Sequence, residues 1–241
     1  MRRFLGTMIV LALLMGLGGQ RTFADSMDPL MSLPNETTVI EAVTADGSIA
    51  SPDRIRAYAE KLNSRAPSDL AGVLQLGIAW QMAHEPARAR QMFERAVQLA
   101  PNNPTLYPRL ASVAVEGITV YVRGRRVEFS DVQPQIINGR TLVPFRAVAE
   151  ALGADVKWDP DTETATVTLD SRAVRLTKDR DVAMIGLNPT ILDVPASIIP
   201  PGRFAVPLRF LSEAFGYKVH WVQINPGSTI IGIYQQSEEG L

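Results

Sequence analysis

The sequence predicts an α+β protein in which a short bundle of helices precedes a duplicated antiparallel β-sheet unit with one short helix in each copy. Two observations support this fold class. Apolar residues follow a helical period over residues 51–114 and alternate with polar residues from Ile118 onward. In addition, residues 140–158 and 203–221 are identical at nine of 19 aligned positions, where chance would give about one identity.

The N-terminal 24 residues have the pattern of a secretory signal peptide. Met1-Arg2-Arg3 is basic, residues 4–19 are almost entirely apolar, and Thr22 and Ala24 occupy positions −3 and −1 before the expected cleavage point. We expect cleavage after Ala24, which places the protein outside the cytoplasm, associated with the cell envelope, with no transmembrane helix after cleavage. The alternative is an uncleaved anchor, although the run is shorter than the ~20 residues that a membrane span needs.

Two further stretches are predicted to lack regular structure. Residues 25–50 are polar and acidic and contain several breakers, so we interpret them as a flexible leader or linker. The last residues, 236–241, are predicted to be a disordered tail.

Residues 51–114 form the predicted helical block. Ser51-Pro52 begins the first helix, Ser68 or Asp69 caps a second over 70–84, a third covers 87–99, and a fourth ends near Val115. The spacing of seven residues resembles one tetratricopeptide repeat of 34 residues, with a half-repeat on each side: Leu76, Gly77, Trp80, Ala89, Phe93, Ala96 and Pro101. This resemblance implies a groove that binds a peptide or protein partner. The alternative, which we favour, is a small bundle that packs on itself or on the next domain.

Residues 115–235 are predicted to be the duplicated β unit. A hairpin with its turn at Arg123-Gly124-Arg125 comes first, and in each copy a strand ends at Pro144 or Pro207. A helix of about two turns follows, ending at Gly153 or Gly216, and a hairpin comes next.

The segment Asn138-Gly139-Arg140-Thr141-Leu142-Val143-Pro144-Phe145-Arg146, continued through Gly153 to Trp158, resembles the copper amine oxidase N-terminal domain, also called a stalk domain. The second copy departs from this pattern at Pro200-Pro201-Gly202. The resemblance implies a five-stranded antiparallel sheet wrapped round a helix, an exported bacterial protein and an accessory role. It does not imply oxidase activity, since that chemistry needs three imidazole ligands and the chain has only His84 and His220.

Composition excludes several classes of function. The chain has no cysteine, which removes disulfide scaffolds, thiolate metal sites and cysteine nucleophiles. A formal net charge of −1 provides no basic field for nucleic acid, so no nucleic-acid partner is expected. Asp159, Asp161 and Glu163 are interpreted as a hairpin turn in preference to a calcium site, and we expect no metal and no cofactor.

Six residues that recur between the copies are the candidate binding residues. They comprise four arginines, suited to an anionic wall polymer or a carboxylate, and two tryptophans, suited to stacking on sugar rings: Arg140, Arg146, Arg203, Arg209, Trp158 and Trp221. The structural alternative, which we favour, makes the tryptophans core or hairpin residues and pairs each helical arginine with the glutamate four residues later, Glu150 or Glu213.

We therefore expect a non-enzymatic, exported protein that binds or scaffolds at the cell envelope. In this hypothesis the β unit docks to cell-wall material or to a surface protein, and the helices recruit a protein partner. One alternative is a wall-glycan hydrolase that uses Glu150 and Glu213, the only acids repeated in the alignment. Another is a structural spacer with no ligand.

Overall fold

The computed structural model describes residues 33–224 and 227–236. The predictions for the signal segment, residues 25–32 and residues 237–241 concern parts of the chain outside these ranges. The described part is mixed α and β, with helices first and β-sheets after them. Its α-helices are α1 Glu36–Val43, α2 Pro52–Ser64, α3 Leu70–Met82, α4 Pro86–Leu99, α5 Tyr107–Ser112, α6 Phe145–Leu152 and α7 Leu208–Ala214, and a 3₁₀ turn, Pro104–Leu106, leads into α5.

The first helices recur at a fixed interval along the chain. α1 and α3 begin 34 residues apart, as do α2 and α4, and the 3₁₀ turn before α5 begins 34 residues after α3. The caps follow the same interval: Asn35, Asp69 and Asn103 each accept a backbone N–H with a side-chain oxygen, and Pro52 and Pro86 occupy the first helical position. The helical block therefore holds two helix pairs and the first helix of a third.

Residues 36–43 differ from the predicted flexible leader, because they form α1. Val39 and Val43 are buried on this helix, which packs against α2 and α3. Asn35 and Thr38 form a capping box, in which the Thr38 N–H donates to Asn35 Oδ1 at 3.1 Å and the Asn35 N–H donates to Thr38 Oγ1 at 3.3 Å. Two buried residues are too few to give a clear period, so packing rather than local sequence stabilises this helix.

Helices α3 and α4 approach each other closely at the small residues of the pattern that resembles a tetratricopeptide repeat. A Cβ atom placed on Gly77 would lie 2.7 Å from Phe93 Cε1, so only glycine fits without a shift of that ring. Trp80, Ala89 and Ala96 are buried around the contact.

The strands of the described part form three sheets. They are β1 Gly117–Val122, β2 Arg125–Arg126, β3 Gln135–Ile137, β4 Arg140–Pro144, β5 Asp155–Asp159, β6 Thr164–Leu169, β7 Arg172–Thr177, β8 Val182–Ile185, β9 Asn188–Ile191, β10 Ser197–Ile199, β11 Arg203–Pro207, β12 Tyr217–Val222 and β13 Ser228–Gln235. Their orders are β12-β13-β1-β2, β10-β11-β4-β3 and β5-β6-β7-β8-β9. The family resemblance implied one five-stranded antiparallel sheet. The structure has one such sheet and two four-stranded sheets besides, and β1 and β13 pair in parallel.

The β region contains two segments with the same order of elements. Residues 117–169, the first segment, and residues 182–235, the second segment, each run hairpin, hairpin, helix, hairpin, with β7 between them. Strands β4 and β11 pair antiparallel in the middle sheet with Val143 opposite Val206, positions that are equivalent in the two segments. An approximate two-fold axis therefore passes between these two valines. Each outer sheet combines the last hairpin of one segment with the first hairpin of the other.

The core of the β region lies around α6 and α7. Val148 and Leu152 of α6 and Leu211 of α7 are fully buried among the apolar faces of the strands. Gly153 ends α6 in the left-handed conformation at φ 89°, as its position in the sequence predicts.

The helical block is joined to the sheet that contains β12 and β13. Tyr107 of α5 is buried against Gly232 of β13, where an added Cβ would lie 2.3 Å from Tyr107 Cζ. Beside it, the Tyr121 hydroxyl donates to Glu94 of α4 at 2.9 Å. Burial raises the pKa of both Tyr107 and Tyr121. This junction fixes the helices onto the β region.

Candidate binding groove

Three of the six candidate binding residues line one groove of about 760 Å³ in the β region. They are Arg146 at the start of α6, Trp158 on β5 and Arg203 at the start of β11. The other three, Arg140, Arg209 and Trp221, lie outside its lining, although all three are exposed. The structure therefore divides the predicted set into two groups of three.

Both segments build the groove. The first segment contributes residues 126–132, the start of α6 and strand β5, and the second contributes Ile198 and residues 202–204. These parts meet because β4, which leads into α6, pairs directly with β11. Neither segment could form the groove without the other.

An aromatic cluster forms one wall of the groove. The Trp158 ring lies 5.2 Å from the Phe204 ring, centroid to centroid, and Phe204 in turn meets the buried Phe145 edge-on at 5.7 Å. Trp158 is nevertheless 38% exposed and Trp221 is 48% exposed. The tryptophans are thus not core residues, and the other half of that interpretation, a role in packing the hairpins, stays a prediction. Trp158 presents an open ring face, held in place by Phe204.

The charged side chains of the groove are partly neutralised by each other. Arg203 Nε donates to Asp131 Oδ2 at 2.6 Å, and this hydrogen bond lowers the pKa of the Asp131 carboxyl. Arg126 lies 3.4 Å from Glu128, measured from Nε to Oε1.

The expected ion pairs between Arg146 and Glu150, and between Arg209 and Glu213, do not occur in the described part of the chain. Residues four apart on a helix can pair, but exposed pairs gain little free energy in water, so the two side chains stay apart. Arg146 and Glu150 both line the groove. The groove thus presents a cation and an anion that are available to a ligand.

Two aspartates that pair with candidate arginines were missed in the sequence. Asp131 holds Arg203, and Asp193 accepts from Arg140 Nε at 2.8 Å, so the arginine of each segment pairs with the aspartate of the other. A signal for them exists: Asp-Val, followed three residues later by Ile-Ile, occurs at both 131–137 and 193–199. The offset is 62 residues there and 63 afterwards, because the second segment has one extra residue in its turn, so an alignment at constant offset misses the match.

The acids proposed for hydrolysis do not come together in the groove. Glu150 lines it, whereas Glu213 lies on α7 outside its lining. In the hairpin turn after β5, Asp159 accepts from the Asp161 N–H at 3.0 Å and from Thr162 Oγ1 at 2.7 Å, and the latter bond lowers the pKa of Asp159. These contacts are those of an Asx turn. Over residues 33–224 and 227–236, no three His, Asp or Glu side chains are grouped so that they could hold a metal ion.

Comparison with known proteins agrees with the resemblance in the β region. No curated protein matches the chain. Among the helices of the described part, none is long and apolar enough to cross a membrane. The N-terminal domain of copper amine oxidase is a non-catalytic, stalk-like domain, which is compatible with a protein that is not an enzyme. Residues 121–230, which include most of both segments and the whole groove, match the family model of the copper amine oxidase N-terminal domain.

Proposed function

We propose that this chain is an exported, non-catalytic bacterial protein that binds carboxylate-bearing glycan of the cell envelope in the Trp158 groove. The observation that carries the proposal is that a partly exposed tryptophan, Trp158, lines the same groove as Arg146, which has no ion pair in the described part of the chain. The signal-like residues 1–24 support export.

The chemistry of the groove suits a sugar that carries a carboxylate. A pyranose ring has an apolar face that can stack on an indole, and Phe204 holds that indole in one orientation. Arg146 can then form a charge-assisted hydrogen bond to the carboxylate. Glu150 can accept from hydroxyl, amide or ammonium groups of the same ligand.

Hydrolysis of the glycan is a weaker proposal. Glycosidases use two carboxyl groups on opposite sides of the bond that breaks. Within the groove, Asp131 and Glu128 are paired with arginines, and Glu213 lies elsewhere. Glu150 would have to act without a suitable second carboxylate.

The main role that we propose for the helical block is to position the β region. Recruitment of a protein partner is an additional role. Its helices begin at 34-residue intervals, which supports the resemblance to tetratricopeptide repeats. Helix α5 packs on β12 and β13, where another helix would follow in a longer array. Most of α3 is buried, which favours a bundle over an open peptide groove. A protein partner is therefore a separate proposal, which rests on the helical arrangement alone.

Binding to purified sacculi tests the proposed function. The chain without residues 1–24 would be co-sedimented with sacculi beside Trp158→Ala and Arg146→Ala. We expect saturable binding that either change weakens about tenfold, which corresponds to about 1.4 kcal/mol. Leu187→Ala is the matched control, because Leu187 is 86% exposed but lies outside the groove. Absence of saturable binding, or equal loss in the control, would favour the spacer alternative.

A further inference from the structure

We propose that the chain carries a second binding site, centred on Trp221, that takes the same class of ligand as the Trp158 groove. This inference rests on the proposed function and extends it, because it makes the protein bivalent. The approximate two-fold axis between Val143 and Val206 carries each part of the groove onto an equivalent part of the β region. The residues at these equivalent positions form the proposed second site.

Six of the residues that build the groove have counterparts of matching chemistry. Residues of the first segment from β4 to β5 have their counterparts 63 positions later, and residues before β4 have theirs 62 positions later. Groove residues of the second segment have their counterparts at the same offsets earlier in the chain. Trp158 corresponds to Trp221, Arg146 to Arg209, Glu150 to Glu213, Arg203 to Arg140, Asp131 to Asp193 and Ile198 to Ile136.

The frame of the second site is present in the structure. Arg140 Nε donates to Asp193 Oδ2 at 2.8 Å, the counterpart of the bond from Arg203 to Asp131 at the edge of the groove. Arg209 and Glu213 are exposed on α7 and form no ion pair among the described residues, as is true of Arg146 and Glu150 on α6. The arginine and glutamate without ion pairs are thus the same at both places, whereas the Arg126–Glu128 pair of the groove is replaced by Asn188 and Thr190.

Apolar exposure marks the same surface. Trp221 is 48% exposed, and Ile136 and Ile191, the counterparts of groove-lining Ile198 and Phe129, are 57% and 79% exposed. Exposed apolar side chains are common singly, but here the approximate two-fold axis relates three of them to side chains that share one groove, which supports an interaction surface. The charges beside it point to a polar, carboxylate-bearing ligand.

The two sites differ in their aromatic support. Phe204 and Phe145, which hold Trp158, are replaced at the equivalent positions by Thr141 and Leu208. Without an aromatic neighbour of this kind, Trp221 is less fixed in orientation, and ordering it on binding costs more side-chain entropy. We expect the second site to bind the same ligand more weakly.

Two linked sites would raise the apparent affinity for a polymer. Once one site has bound a glycan strand, the other meets neighbouring sugars at a high effective concentration. A soluble fragment that fills one site only gains nothing from this effect. The polymer should therefore bind more tightly than the fragment.

Tryptophan fluorescence can observe each site separately. The chain has three tryptophans, and Trp80 is only 2% exposed. Acrylamide quenching therefore reports mainly on Trp158 and Trp221. The probe is a soluble disaccharide-peptide fragment released from sacculi by a muramidase. In Trp158→Ala, protection of the remaining exposed tryptophan reports on the second site, whereas in Trp221→Ala it reports on the groove.

We expect the fragment to protect the exposed tryptophan in both variants, at higher concentration in Trp158→Ala. Adding Arg209→Ala to Trp158→Ala should shift that protection to concentrations about tenfold higher. Adding Ile49→Ala instead, a change at an 87% exposed residue before α2, should not. Protection in Trp221→Ala with none in Trp158→Ala would overturn the second site and leave the proposed function intact. Loss of protection in both variants would contradict the proposed function itself. Matching circular dichroism spectra would exclude misfolding as the cause of either loss.

Discussion

At the scale of single residues, the reciprocal ion pairs decide how the edges of the two sites are held. Arg203 pairs with Asp131 and Arg140 with Asp193, so each arginine reaches across to the other segment. All four side chains are substantially exposed, and exposed pairs contribute little to the free energy of unfolding. We propose that they fix the orientation of Arg203 and Arg140 at the two sites.

The pKa of Asp131 provides a direct test of this role. The hydrogen bond from Arg203 lowers that pKa below its ordinary value of 3.8, so the carboxylate stays charged and paired as the pH falls to 3.8. Whatever stability the pair contributes is present above pH 3.8 and is lost as the pH falls through the lowered pKa. In Arg203→Ala, we expect the Asp131 pKa to rise toward 3.8, measured by NMR titration of the carboxyl carbon. Arg140→Ala is the control, and an equal rise there would contradict the pairing.

At the scale of elements, the closest contact in the helical block is the crossing of α3 and α4 at Gly77. Replacing glycine by alanine inside a helix normally adds about 1 kcal/mol of stability. Here the new Cβ would lie 2.7 Å from the Phe93 ring, and overpacking of this kind costs about 1–3 kcal/mol. The second effect should win.

We therefore expect Gly77→Ala to lower the free energy of unfolding by about 1 kcal/mol, measured by urea denaturation. The same change made together with Phe93→Leu should cost far less, because the smaller side chain leaves room for the methyl group. A stabilising effect of Gly77→Ala in the wild-type background would show that α3 and α4 are not in close contact there.

The elements also show where sequence reasoning succeeds and where it fails. The contact between Gly77 and Phe93 was predictable, because the repeat-like spacing places a glycine on one helix and a large aromatic residue on the next, as a close helix crossing requires. Helix α1 was not predicted, because it is a short helix whose buried positions are only Val39 and Val43. The cap at Asn35, 34 residues before Asp69, was the better signal.

For the groove, the sequence could indicate some of the residues that line it but not that they lie in one place. Trp158 and Arg146 are both evident in the alignment of the two segments. Their common site depends on Phe204 and Asp131, which come from distant parts of the chain, and on the antiparallel pairing of β4 with β11. No local pattern specifies that pairing.

At the scale of the whole molecule, the β region is an interlocked pair of segments rather than two domains in series. Strand β1 of the first segment pairs with β13 of the second over six residues, and β7 connects the strands of both in the other outer sheet. The core around α6 and α7 is likewise shared by the two segments. Neither segment alone can bury its apolar face, so folding of the β region should be a single cooperative event.

Cutting the chain tests this interdependence. A protease site placed in the turn at Asp170-Ser171, between β6 and β7, gives two pieces that we expect to remain bound to each other after cleavage, because the paired strands and the shared core are unchanged. Once separated in denaturant, neither piece should regain its β-sheet signal in circular dichroism on dilution, whereas mixing them should restore it. Uncut chain treated identically is the control. Recovery of a native β-sheet signal by the second piece alone would show that the segments are independent domains, and the two binding sites, each built from both segments, would then have no structural basis.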